Sequence, residues 1–185
     1  MGKVYKLRVA GLERDLPICR VSEDLSIAGF VIFGDVELTR SCAAALLEKA
    51  PEFDLMAAPE AKAIPLIYEM ARQKGVNDYI LARKKPKAYM EKVFKTDYES
   101  ITTRGVQSLY LDSKDAEKMR GKRILIIDDV ISSGESLAAM EKLVNEAGGI
   151  IAGKMAVLAE GKASERKDII FLEPLPLFNG NGEQI

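Results

Sequence analysis

The chain has 185 residues, about half of them apolar and under a third charged, with a net charge of −1; this fits one domain with a sizeable core. The near balance of Lys and Arg against Asp and Glu argues against a nucleic-acid surface, and no apolar run approaches the roughly 20 residues of a membrane span. There is no His and no Trp, which removes Ser-His-Asp hydrolysis, Cys-His chemistry and histidine-ligated zinc.

The N-terminus lacks a signal-peptide core, and Cys19 and Cys42 stand at neither metal nor scaffold spacing, so a soluble protein of the reducing cytoplasm is expected. The first 35 residues show no strand and helix alternation. From there, AAALLEKA (43 to 50) has a helical pattern that Asp35 can cap. FDLMAA (53 to 58) reads as a short buried strand. PEAKAIPLIYEMARQKG predicts a turn and a helix that Gly75 ends, with Pro65 tolerable only in the first turn.

DYILARK (78 to 84) reads as the next strand, with charge arriving at its end. The stretch up to Gly121 is polar and irregular, with two strand-like pieces, MEKVFK and VQSLYL. An excursion of that length in a compact domain points to function or mobility. ILIIDDVISSGES (124 to 136) follows: an apolar strand, two adjacent carboxylates, then Ser and Gly. A helix comes next, with Leu137, Met140, Leu143, Val144 and Ala147 on one face and Gly148 as its stop. IIAGKMAVLAE and DIIFLEP complete a series of strands.

Helices separating continuous apolar strands predict an α/β fold with a central, mostly parallel sheet flanked by helices. Residues 1 to 35 and about 170 to 185 are expected to form a small hood over the mouth of the sheet. GGIIAGK has the spacing of a nucleotide-binding P-loop, but Met155 follows instead of Ser or Thr and the segment enters a strand, so it carries no phosphate site.

Ligands of open α/β sheets bind beyond the carboxyl ends of the strands. ILIIDD brings Asp128 and Asp129 to that edge, and Ser132, Ser133, Gly134, Glu135 and Ser136 make the turn into a helix. Amides at a helix N-terminus take an anion, and ionised carboxylates accept from a sugar diol; a ribose 5-phosphate satisfies both halves. The alternative is a capped turn and a plain loop.

The stretch closely resembles the phosphoribosyl-diphosphate signature of type I phosphoribosyltransferases, with Ser133 and Glu135 where Thr and Gly are common. By that resemblance the fold is theirs, and APEAKAIP is similar to their pyrophosphate loop, with Glu60, Ala61 and Lys62 as contacts. ARKKPKAYMEK is similar to the start of their mobile catalytic loop, with Arg83, Lys84, Lys85 and Lys87 available to the leaving diphosphate. The resemblance implies Arg83, Lys84, Asp128 and Asp129 as catalytic groups, phosphoribosyl diphosphate and a purine base as substrates, and a homodimer. It also implies a Mg2+ ion held through substrate or water by Asp128 and Asp129.

GFVIFGD (29 to 35) resembles the Gly-Val-Val-Phe-Arg-Asp stretch of adenine members, which implies base contacts at Ile32, Phe33 and Gly34, with Phe33 stacking. Gly34 replaces the Arg. Thr103, Arg104 and Gly105 stand where adenine members carry Glu-Tyr-Gly, and this segment is closer to purine regulators and some xanthine or orotate enzymes. The expected function is purine salvage with adenine the best single base. A xanthine or other purine enzyme, or a sensor without turnover, remains the alternative.

Overall fold

The computed structural model describes residues 2–99 and 105–185. The chain begins with β1 (Val4–Val9) and β2 (Leu12–Arg20), an antiparallel hairpin pairing Val9 with Leu12. Its two-residue turn, Ala10 and Gly11, has positive φ at both positions, the geometry that matches the twist of paired strands. β3 (Ser26–Ala28) adds to β2, and the late strand of the chain, Leu177–Phe178, adds to β3. This four-stranded sheet is the hood.

The expected capped helix is α1 (Val36–Lys49), with an Asp35 carboxylate oxygen accepting from the Leu38 amide at 3.0 Å. The same carboxylate meets Arg14 of the hood hairpin at 2.6 and 3.1 Å, so one side chain starts the helix and ties the hood to it. Arg14's hydrogen bonds hold the Asp35 carboxyl below its ordinary value.

β4 (Leu55–Pro59) leads to α2 (Ile64–Lys74), which has Pro65 in its first turn and Gly75 in the left-handed region at its end. β5 (Ile80–Ala82) is shorter than the strand expected over 78 to 84, because Arg83 leaves the sheet. Its backbone exchanges two 2.8 Å hydrogen bonds with Tyr110. Tyr110 belongs to a second hairpin, β6 (Val93–Glu99) and β7 (Val106–Asp112), so both strand-like pieces pair with each other. α3 (Ser113–Met119), hidden in the polar stretch, follows.

β8 (Arg123–Ile131), α4 (Glu135–Glu146), β9 (Ile150–Glu160), a 3-10 turn over Gly161–Glu165 and β10 (Ile170–Leu175) come next, and β11 (Leu177–Phe178) closes the hood. The five-stranded sheet has the order β10-β9-β8-β4-β5 and is parallel throughout. β10 therefore belongs to this sheet, and the C-terminal share of the hood begins at Leu177 instead of residue 170.

Two apolar clusters cover its faces. One joins Leu38, Leu46, Leu66 and Met70 to Leu125, Ile127 and the hood residues Leu7 and Val9. The other packs Leu137, Met140 and Leu143 of α4 with Leu109 and Leu111 of the hairpin on Ile124 and Ile126. Burial on both faces explains why the strands read as unbroken apolar runs.

Candidate active-site cleft

Strand register decides what meets at the site. Ala57 pairs with Ile126 and Pro59 with Ala82, while Ile131 pairs with Ala159. The chain thus leaves β4, β5, β8 and β9 along one carboxyl edge, where a cleft of about 430 Å3 opens under the hood. Its walls include Glu60, Ala61, Lys62, Lys84, Asp128, Asp129, Ser132 and Ser136.

Successive residues of a strand face opposite ways, and the acidic pair divides accordingly. Asp129 is buried, with Lys62 Nζ at 3.7 Å from its Oδ2. That is ion-pair range but too long for a hydrogen bond, and Oδ2 is buried without one among the described residues. Asp128 accepts the Asp129 amide at 2.9 Å and faces Tyr98 of the β6–β7 hairpin. Burial, then the Asp129 charge, push the Asp128 carboxyl well above the usual carboxylate range.

Beyond the acids, Ser132, Ser133, Gly134 and Ser136 surround a small recess of about 50 Å3. Gly134 caps α4 in a left-handed conformation and contributes no side-chain cap. The first amides of a helix have no partner within it, so donors and dipole are offered to an anion in the recess. Glu135 begins the helix. Tyr98 closes the far side, half buried against Ser136, and burial raises its phenol pKa.

The basic run is partly engaged. Glu60 accepts the Lys84 amide at 3.0 Å and Arg83 Nε at 3.2 Å, and Arg83 also reaches the Tyr89 hydroxyl at 3.1 Å. Burial opposes ionisation of Glu60, but the Lys84 amide and the Arg83 and Lys87 charges outweigh it, so its pKa is lowered. Lys84 lines the cleft and Lys85 is exposed.

Phe33, expected to stack on the base, and Ile32 and Gly34, expected to supply backbone contacts, are not among the residues that line the cleft. Ile27, Ala28, Gly29, Phe30 and Val31 line the cleft. Ile32 is fully buried in the core, Phe33 is half exposed, and Gly34 turns toward α1 with φ 81. Sequence reading also missed Tyr98, Gln107 and Glu160, all on the cleft walls. Only Tyr98 carried a signal, as an aromatic in the polar excursion. Thr103 and Arg104 lie outside the described residues.

No cluster of three or more possible metal-ligating acids, Cys or His occurs among the described residues. Two carboxylates, one with a buried oxygen lacking a hydrogen bond, suit a hard cation that draws most of its ligands from a substrate.

A helix N-terminus, an acidic pair and a cationic rim meet at the carboxyl edge of a parallel sheet, the place where ligands of open α/β sheets bind. The profile of the phosphoribosyl transferase domain matches residues 37–175, and the chain belongs to that family. It is 37% identical over 109 residues to the adenine phosphoribosyltransferase of Thermoanaerobacter sp. (strain X514), covering 57% of this chain and 60% of that protein. Against the adenine phosphoribosyltransferase of Thermotoga sp. (strain RQ2) it is 32% identical over 130 residues, 70% of this chain and 67% of the relative. The chain thus spans about three fifths to two thirds of the length of these curated relatives.

The crystal structure of the adenine phosphoribosyltransferase from Thermoanaerobacter pseudethanolicus superposes with a TM-score of 0.65 at 26% identity, over 77% of this chain and 84% of that one. The Rhodothermus marinus enzyme of that name gives 0.66 at 21% identity, over 93% and 94%, a likeness of fold.

Proposed function

We propose that the chain is a purine phosphoribosyltransferase of nucleotide salvage, joining a free base, adenine first, to the anomeric carbon of phosphoribosyl diphosphate. The observation that carries this reading is the meeting, in one cleft, of the Ser132–Ser136 recess, the Asp128 and Asp129 pair and Lys62. The recess takes the 5-phosphate and Asp129 accepts from the ribose hydroxyls. Lys62, Lys84 and a released Arg83 hold the diphosphate.

A ring nitrogen of the base bonds to the anomeric carbon while the bond from that carbon to the diphosphate oxygen breaks; the bonding electrons leave with pyrophosphate, and the proton of the base's imidazole ring is released to solvent. Positive charge builds on the sugar, where two adjacent carboxylates stabilise it, so the chain acts by positioning and charge, with no covalent nucleophile. Arg83 must exchange Glu60 and Tyr89 for the leaving group, which couples the hairpin's anchor to the chemistry. Magnesium, when bound through Asp128 and Asp129 by way of substrate or water, supplies charge neutralisation on the diphosphate.

The base lies on the wall from Ile27 to Val31, close to the stretch that resembles the adenine members' motif. A homodimer in the cytoplasm is part of the same reading. The test is pyrophosphate release with adenine, hypoxanthine, guanine, xanthine and orotate supplied separately. Turnover with a purine supports the reading; tight binding of phosphoribosyl diphosphate without turnover on any base makes the chain a sensor.

A further inference from the structure

Six carboxylate and lysine side chains line the cleft, and five have work in the description above. Glu60 is engaged by Lys84 and Arg83, Lys62 stands by Asp129, and Asp128 accepts an amide. The sixth, Glu160, makes no hydrogen bond or ion pair among the described residues. It ends β9 and pairs across the sheet with Leu175. Two residues after Leu175, Leu177 pairs with Ile27 of the hood.

A Cβ built on Gly161 would meet Leu177 Cδ1 at 2.8 Å, so the turn after Glu160 is pressed against that hood strand. Glu160 therefore stands at the seam between sheet and hood, on the same cleft as the apolar stretch Ile27 to Val31. Burial raises its pKa and the Lys62 charge opposes the rise. Glu160 is only partly buried, so its carboxylate remains open to a donor on a ligand that enters the cleft.

We propose that Glu160 is a specificity-determining residue that accepts a hydrogen bond from an exocyclic amino group of the base, whose ring lies on the Ile27–Val31 wall. The inference rests on the phosphoribosyltransferase reading and deepens it. An aminopurine has both features the place requires, a flat apolar face and an N–H donor at its edge. A 6-oxopurine without an amine presents an acceptor to an acceptor there, and selectivity arises from the unpaired groups left behind.

The test uses the full chain with wild type, E160A and the isosteric E160Q, adenine and hypoxanthine as bases, and calorimetric titration of phosphoribosyl diphosphate with magnesium. E160A should raise the KM for adenine about 10- to 100-fold, as expected for losing a hydrogen bond to a charged group. The KM for hypoxanthine and the affinity for phosphoribosyl diphosphate should stay within about twofold, since neither meets this carboxylate in a productive hydrogen bond. E160Q, which adds an N–H donor, should move the ratio of kcat/KM toward hypoxanthine; it keeps the test readable if E160A does not fold.

An unchanged KM for adenine in both variants, or equal losses on both bases, overturns the inference while binding of phosphoribosyl diphosphate preserves the family reading. Turnover confined to xanthine or orotate, which lack an exocyclic amine, overturns it in the same way. A wild-type chain that binds no phosphoribosyl diphosphate overturns both.

Discussion

Gly134 stands where the Ser132–Ser136 recess meets α4, and its replacement by Ala has two separable costs. Its φ is 84, a left-handed value that costs a residue with a Cβ about 1–2 kcal/mol. An added Cβ would also lie 2.5 Å from Arg166 Nη1. Arg166 must then withdraw from Asp168, which it grips at 2.9 and 2.7 Å. Its side chain is 33% exposed, so solvent screening limits that loss to about 0.5 kcal/mol. The sum is about 2 kcal/mol, or about 4–8 °C in Tm for a chain of this size.

Thermal unfolding of G134A, R166A and G134A/R166A would form a double-mutant cycle. Removing Arg166 should recover only the clash, leaving the double variant about 1–2 kcal/mol below R166A from the backbone term. Phosphoribosyl diphosphate should bind G134A at least about tenfold more weakly, because the amides of the recess are re-aimed. A G134A chain as stable as wild type, or full recovery in the double variant, would refute the conformational argument.

D35A should lose about 1 kcal/mol from the missing N-cap alone, read by chemical denaturation, whereas D35N should keep the cap and report the Arg14 contact. Glu69 is held at about 2 by Arg72 and then Gln73. Because that folded value lies below the unfolded one, its stabilisation is full above pH 4.5 and fades as pH falls toward about 2. Although Glu69 is buried, Arg72 is 58% exposed, so E69Q should lose about 1 kcal/mol at pH 7, after screening, with wild type and variant converging near the acid end of a denaturation series. K62A should raise the KM for phosphoribosyl diphosphate several-fold with little change in Tm; an unchanged KM would remove Lys62 from the site. Chelation of magnesium should abolish pyrophosphate release, and its return should restore it.

Much of the architecture was already legible in local patterns. Asp35, Pro65 and Gly75 punctuate helices through their own backbone chemistry, and the apolar runs around Ile127 and Val157 announce strands buried on both faces. ILIIDDVISSGES announced a strand, two acids and a loop into a helix because these are contiguous, and the structure places a recess there. The hairpin turn at Ala10–Gly11 was not read, because Pro17 and the alternating charges obscure the strands that flank it.

What the sequence could not determine is anything that depends on register between distant strands. Lys62 meets Asp129 because β4 lies beside β8, and Arg83 is occupied by Glu60 because β5 ends level with Pro59. The resemblance implied backbone contacts at Ile32 and Gly34 and stacking at Phe33; which neighbours line the cleft was not legible, because it is the hood's pairing that turns Ile27 to Val31 into it and sends the Ile32 side chain into the core. Glu160 had no motif at all, because its position depends on where β10 crosses into the hood. Local sequence sets the backbone preferences and the chemistry each element carries; only the packed sheet, whose spacing and register fix which strand ends adjoin, brings those groups within reach of one ligand.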